Sequence, residues 1–148
     1  MNKLFSVLIL AVAIFSSCSS ASKLKDTQKQ TLSIEFVGEG SIKKAEGRVS
    51  LYAVSENIAD VPATLILEQK ISQSQLPFTV TFELPKDHKQ MIKPALREGE
   101  AIKYYVSIDW DSNNDGVAGV GDIVIDYDKR FPNVVIGGTT QVFVRESK

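Results

Sequence analysis

Between Asp111 and Asp122 the chain sets oxygen-bearing side chains at the spacing a hard cation needs. The stretch reads Asp111-Ser112-Asn113-Asn114-Asp115-Gly116-Val117-Ala118-Gly119-Val120-Gly121-Asp122. Asp111, Asn113, Asp115 and Asp122 stand at loop positions 1, 3, 5 and 12, with Gly116 at position 6. Ca²⁺ takes about six to eight oxygens at roughly 2.3–2.6 Å, and a chain wraps it only by turning sharply. Gly116 supplies that turn because glycine takes positive φ at little cost. Val117, at position 7, would give its backbone carbonyl. Asp109 lies two residues before Asp111 and, in an extended chain, projects to the same side, so it would be a further or outer ligand.

This spacing resembles the loops of EF-hands and dockerins in its Asp-x-Asn-x-Asp-Gly start and its acidic end. Asp122 is shorter than the bidentate Glu of sensor loops, so the expected affinity is weak, of the order of 10⁻⁴–10⁻³ M. Both flanks read as strands, so neither of those folds is implied. The competing reading is an ion-free polar turn, since Asn, Asp and Gly also dominate ordinary loops. Against it stands the cost of bringing three carboxylates together without a cation. The expectation is a structural calcium ion that pins the loop.

The only cysteine, Cys18, carries a second chemistry. Lys3 precedes an apolar and small-residue run from Leu4 to Phe15, followed by Ser16-Ser17-Cys18. A positive start, a short apolar run and small residues before the break make a secretory signal. Small residues ending at a lone cysteine resemble the lipobox of bacterial lipoproteins, in which Cys18 would carry covalent lipid as the mature N-terminus. The run falls short of the ~20 apolar residues that span a bilayer. Residues 1–17 are thus expected to be a lipoprotein signal peptide. Residues 18–30 hold one large apolar side chain, Leu24, and read as a lipidated flexible tether. The twelve residues after Cys18 reach at most ~40 Å. Ser19 follows Cys18 where an inner-membrane retention signal would place Asp, which under the enterobacterial sorting rule favours the outer membrane, facing the periplasm.

Catalytic constellations are harder to find. The only histidine, His88, sits in Lys86-Asp87-His88-Lys89-Gln90, where charged neighbours predict a solvated loop. There is no Gly-x-Ser-x-Gly elbow, and Gly38-Glu39-Gly40 and Gly119-Val120-Gly121 lack the remaining glycines of a dinucleotide loop. With Cys18 lipidated no thiol nucleophile remains. The net charge of −1 offers no basic stripe for nucleic acid. We therefore expect no enzyme, no nucleic-acid partner and no small-molecule substrate.

The elements that must position the loop have a period of two. Leu32, Ile34 and Phe36 alternate with Ser33 and Glu35; Val49, Leu51 and Ala53 with Ser50 and Tyr52; and Ala63, Leu65 and Leu67 with Thr64, Ile66 and Glu68. Phe78, Val80, Phe82 and Leu84 form the cleanest run. Ile102, Tyr104, Val106, Ile108 and Trp110 follow, then Ile123, Ile125 and Tyr127, and finally Val142 and Val144. Such alternation predicts half-buried antiparallel strands. Seven strands over 31–148 predict an all-β, two-sheet antiparallel sandwich, Ig-like in size. Met91, Ile92, Ala95 and Leu96 have loose helical spacing, but Pro94 interrupts them, so at most one or two helical turns are expected. Trp110 and Tyr104 fall on the core parity. Tyr52 and Tyr105 fall on the outward parity, as a contact surface or as ordinary cross-strand packing.

Two stretches also carry a family resemblance. Asp60-Val61-Pro62-Ala63-Thr64-Leu65-Ile66-Leu67-Glu68-Gln69-Lys70-Ile71 resembles the "DAPA…E-Q-x-I" strand of YbaY/YscW-type lipoproteins. Gln75-Leu76-Pro77-Phe78-Thr79-Val80-Thr81-Phe82-Glu83-Leu84-Pro85 is similar to their "IPF…F-E-LP" segment. Ile92-Lys93-Pro94, Ala101–Asp109 and Phe131-Pro132-Asn133-Val134-Val135 fall in matching order. The resemblance implies a periplasmic β-sandwich lipoprotein related to type III secretion pilotins, chaperones that help an outer-membrane secretin reach its membrane. The Asp111–Asp122 loop is not part of that pattern. A calcium-rigidified structural or adhesive envelope module is the alternative.

Overall fold

The computed structural model describes residues 30–148, so the expected signal peptide, Cys18 and all of the tether except Gln30 lie outside the described residues. Eight strands and one helical turn follow in order: β1 (Thr31–Gly38), β2 (Glu46–Ser55), β3 (Thr64–Ser72), β4 (Phe78–Glu83), α1 (His88–Met91), β5 (Ile102–Asp109), β6 (Ile123–Ile125), β7 (Asn133–Val134) and β8 (Thr139–Glu146). They form two four-stranded sheets, ordered β4-β1-β8-β6 and β3-β2-β5-β7. The all-β, two-sheet sandwich expected from the alternation is the fold observed. Two corrections apply. The strands among the described residues number eight, because β7 is too short to produce a period. One pairing, β1 with β8, is parallel, bridged by the long intervening chain.

Alternation is what closes the core. Leu32, Ile34 and Phe36 of β1 face Val49, Leu51 and Ala53 of β2 across the sandwich, all essentially without solvent contact. Phe78 stacks on Phe36 with centroids 4.9 Å apart and meets the Trp110 ring edge-on at 5.8 Å. The indole Nε1 of Trp110 donates to the Lys44 carbonyl at 2.8 Å. Gly47 makes room for that ring, since a Cβ there would come within 2.7 Å of the indole.

β3 departs from the expected parity. Leu51 pairs with Leu67, but Tyr52 pairs with Leu65, leaving Ile66 as an extra residue in a β-bulge. The bulge turns Ile66 into the core and pushes Leu65 out to solvent, the reverse of simple alternation. Tyr127 likewise lies beyond the end of β6 and is exposed rather than inward. His88 is corrected in the other direction. It is buried, with Nδ1–H donating to the Pro85 carbonyl at 2.7 Å, which leaves Nε2 to accept the Tyr104 hydroxyl at 2.9 Å. Two good partners offset the desolvation that charged sequence neighbours argued against.

The strand directions give the domain two poles. The N-terminal end of β1 is fixed by Leu84 N–H to the Gln30 carbonyl and by Gly137 N–H to the Thr31 carbonyl. β1 then runs for eight residues, about 25 Å at strand rise, to the opposite pole. There the β1–β2 connection meets the acidic loop through Lys43 and Lys44, whose N–H groups both donate to the Ser112 carbonyl.

Candidate functional site

The acidic loop is held by its own backbone. Asp111 Oδ1 accepts the N–H groups of Asp115 (3.1 Å) and Gly116 (3.3 Å). Asn113 Oδ1 accepts from Asp115 N–H at 2.9 Å, and Asp115 Oδ1 from Val117 N–H at 2.8 Å. The Asn113–Asp115 and Asp115–Val117 bonds are Asx turns, the local bonds that make Asp and Asn good loop residues. Gly116 sits at φ 81° and Asn114 at φ 61°, the left-handed conformations the tight path requires.

Two residues work as struts. Asp122 is only 2% exposed, with Oδ1 accepting Asn113 N–H (3.2 Å) and Oδ2 accepting Gly119 N–H (2.9 Å). Ser112 is fully buried and its hydroxyl accepts Ile123 N–H at 2.7 Å. Neither role was visible in the ligand spacing, which weighs oxygens and not the direction they face.

Charge in the loop is balanced from a distant segment. Lys44 Nζ lies 2.9 Å from Asp111 Oδ2. Its hydrogen bond holds the Asp111 carboxyl below the usual carboxylate range, helped by Gly116 N–H and opposed by desolvation, and Asp111 raises the Lys44 ammonium in return. Asp109 ion-pairs with Arg48, which also lies 3.7 Å from Glu68 on the outer face of the second sheet.

The chemistry of the donor set, oxygen throughout, suits calcium; Asp115 and Val117 are exposed, whereas Asp111 and Asn113 are half-buried. Asp122 is already committed to the backbone. Among the described residues no group of three His, Cys, Asp or Glu side chains is gathered to hold a metal ion.

A second feature lies on the outer face of the β3-β2-β5-β7 sheet. Tyr52 and Tyr105 are directly paired across β2 and β5, with rings stacked at 5.6 Å. Phe131 meets Tyr105 edge-on at 5.5 Å, and Tyr127 lies 6.0 Å beyond it. Leu65 pairs with Tyr52 on the other side. The result is a continuous row, Leu65–Tyr52–Tyr105–Phe131–Tyr127, crossing three strands and turning the edge of the sandwich. Leu65, Phe131 and Tyr127 are 45%, 48% and 58% exposed. Burial, then the adjoining phenols of Tyr52 and Tyr127, push the Tyr105 hydroxyl above its ordinary range. The outward parity of Tyr52 and Tyr105 was legible in the sequence. The contribution of Leu65, Phe131 and Tyr127 was not.

Among the described residues no helix is long and apolar enough to cross a membrane. No family model and no curated protein matches the chain. Among solved structures it is similar to an alternative pilotin from the type II secretion system of Vibrio cholerae, at 15% identity and TM-score 0.49, over 80% of this chain and 97% of that one.

Proposed function

We propose that this protein is a non-enzymatic envelope lipoprotein of pilotin type. Lipid on Cys18 anchors it at the outer membrane facing the periplasm, and the sandwich captures a segment of a secretin, the pore subunit of a secretion system. The observation that carries the reading is the exposed Leu65–Tyr52–Tyr105–Phe131–Tyr127 row. Apolar side chains held in one row by strand register offer a preformed seat for the apolar face of a partner segment. The row is built partly from two stretches whose residues resemble the YbaY/YscW-type pattern, Asp60–Ile71 and Phe131–Val135. In cells lacking this protein, secretin subunits should fail to reach the outer membrane. Wild-type chain should restore delivery and Cys18→Ser should not. Delivery that proceeds normally without the protein rules the reading out.

The acidic loop is assigned a structural calcium ion, supported by the Asp-x-Asn-x-Asp-Gly spacing and the all-oxygen donor set. Its place is at the pole opposite Gln30, so the metal would stiffen the tip of the domain and not its attachment. Lys44 competes for the same Asp111 oxygen. Lys44→Ala should therefore tighten calcium binding measured by titration calorimetry, and an unchanged affinity would place any ion elsewhere.

A further inference from the structure

The second sheet ends on β3, and among the described residues that strand pairs with β2 alone. Its first residues are covered, since Thr64 Oγ1 accepts Lys93 N–H at 2.8 Å. The bulge at Ile66 interrupts the strand next. What remains open is the regular stretch from Leu67 to Ser72, in which Glu68, Gln69, Lys70 and Ser72 are exposed. Unpaired N–H and C=O groups along such an edge are a template for another strand.

We propose that this edge pairs with β3 of a second copy of the chain, antiparallel about a two-fold axis at Gln69. An antiparallel edge can pair with itself only about an axis passing through a residue, because any other alignment sets side chains from opposite faces against each other. Three axes are then available within the exposed centre, and the charges choose between them. An axis at Glu68 opposes two glutamates, and an axis at Lys70 opposes two lysines; both place like charges directly across the pair. The axis at Gln69 sets Glu68 opposite the partner's Lys70 twice, by symmetry. It also sets Leu67 opposite the partner's Ile71 twice on the core-facing side, flanking the central Gln69 pair. Both faces of the edge are complementary in that register. The other charges facing the pair are Arg48, which is 3.7 Å from Glu68 and opposite Lys70 on β2, Asp109, which holds Arg48, and Glu46, which is opposite Ser72 and lines the same hollow as Lys70. Arg48 and Asp109 offset each other, and Glu46 leaves the opposition of Glu68 and Lys70 unchanged. This pairing is independent of the capture reading, since it uses the edge of the sheet and leaves the aromatic row open.

The test uses the full-length chain in membranes, with Gln69→Cys under mild oxidation and a non-reducing gel. Residues directly opposite in an antiparallel pair have Cα atoms roughly 4.5–5.5 Å apart, within disulfide range. We expect a disulfide-linked homodimer from Gln69→Cys, little from wild type with Cys18 alone, and little from Ser72→Cys, which faces Ile66 of the partner. Adding Glu68→Lys should lower the dimer yield by about fivefold, and adding Lys70→Glu to that variant should restore it, because the reversed pairs are again opposite. Three outcomes overturn the proposal: no Gln69→Cys dimer, equal yields from Ser72→Cys, or cross-links to a different protein in place of the second copy. A yield insensitive to charge reversal overturns the register.

Discussion

The acidic loop and the aromatic row are assembled in opposite ways. Side-chain bonds inside the loop join residues no more than eleven positions apart; its distant supports are the Lys44 ammonium and backbone bonds to Lys43, Lys44 and Ser147. The row draws its members from β2, β3, β5 and the segment around Phe131, brought together only by strand register. A local motif thus announces itself by spacing, whereas a surface of non-local origin exists only once the sheet is paired. The loop also spends most of its polar atoms on itself, while the row leaves apolar surface unspent. That difference is why we assign the loop to stiffening and the row to recognition.

The contrast can be broken within the loop. Asp122→Ala removes a buried carboxylate and orphans two N–H groups, so we expect a loss of about 2–3 kcal/mol in urea unfolding without calcium. Asp115→Ala, at the exposed tip, should change stability by no more than about 0.5 kcal/mol under the same conditions. Equal effects would mean that the loop has no internal division between strut and tip.

The row sharpens it next. Tyr105→Ala removes a cross-strand aromatic contact on a half-buried face and should cost about 1 kcal/mol of stability. Phe131→Ala, further exposed, should cost less, although both should weaken partner capture by at least about tenfold if they are anchors. A large stability loss with capture unchanged would return these rings to ordinary sheet packing.

The smallest effect is expected from pH. Lys44 holds the Asp111 carboxyl below its unfolded range, so the pair contributes stability above the unfolded carboxylate pKa of about 3.9. That contribution falls as pH drops through the lowered folded value. Lys44→Ala should flatten the acid side of the stability curve slightly, and an unaltered curve would show that the pair contributes nothing measurable.

How much of this was legible in the sequence follows the same division. Leu32, Ile34, Phe36, Phe78, Val80 and Phe82 announced themselves by strict alternation, and all are buried. Trp110 and Tyr104 were placed in the core by parity and lie there. Leu65 and Ile66 exchanged faces because a bulge adds one residue to a period-two pattern, and a bulge depends on the partner strand. His88 was misread because its partners, Pro85 O and Tyr104 Oη, outweigh the charged residues beside it in sequence. Lys44 was invisible as a loop residue because 67 positions separate it from Asp111.

The most direct test of the account is the binding of labelled secretin segments to the full-length protein in detergent, by fluorescence anisotropy. Wild type should bind saturably, Tyr105→Ala and Phe131→Ala should each lose at least about tenfold in affinity, and Asp115→Ala should bind as wild type. If no segment binds, or if the bound segment binds both row variants unchanged, the assignment of the aromatic row as the recognition surface is contradicted.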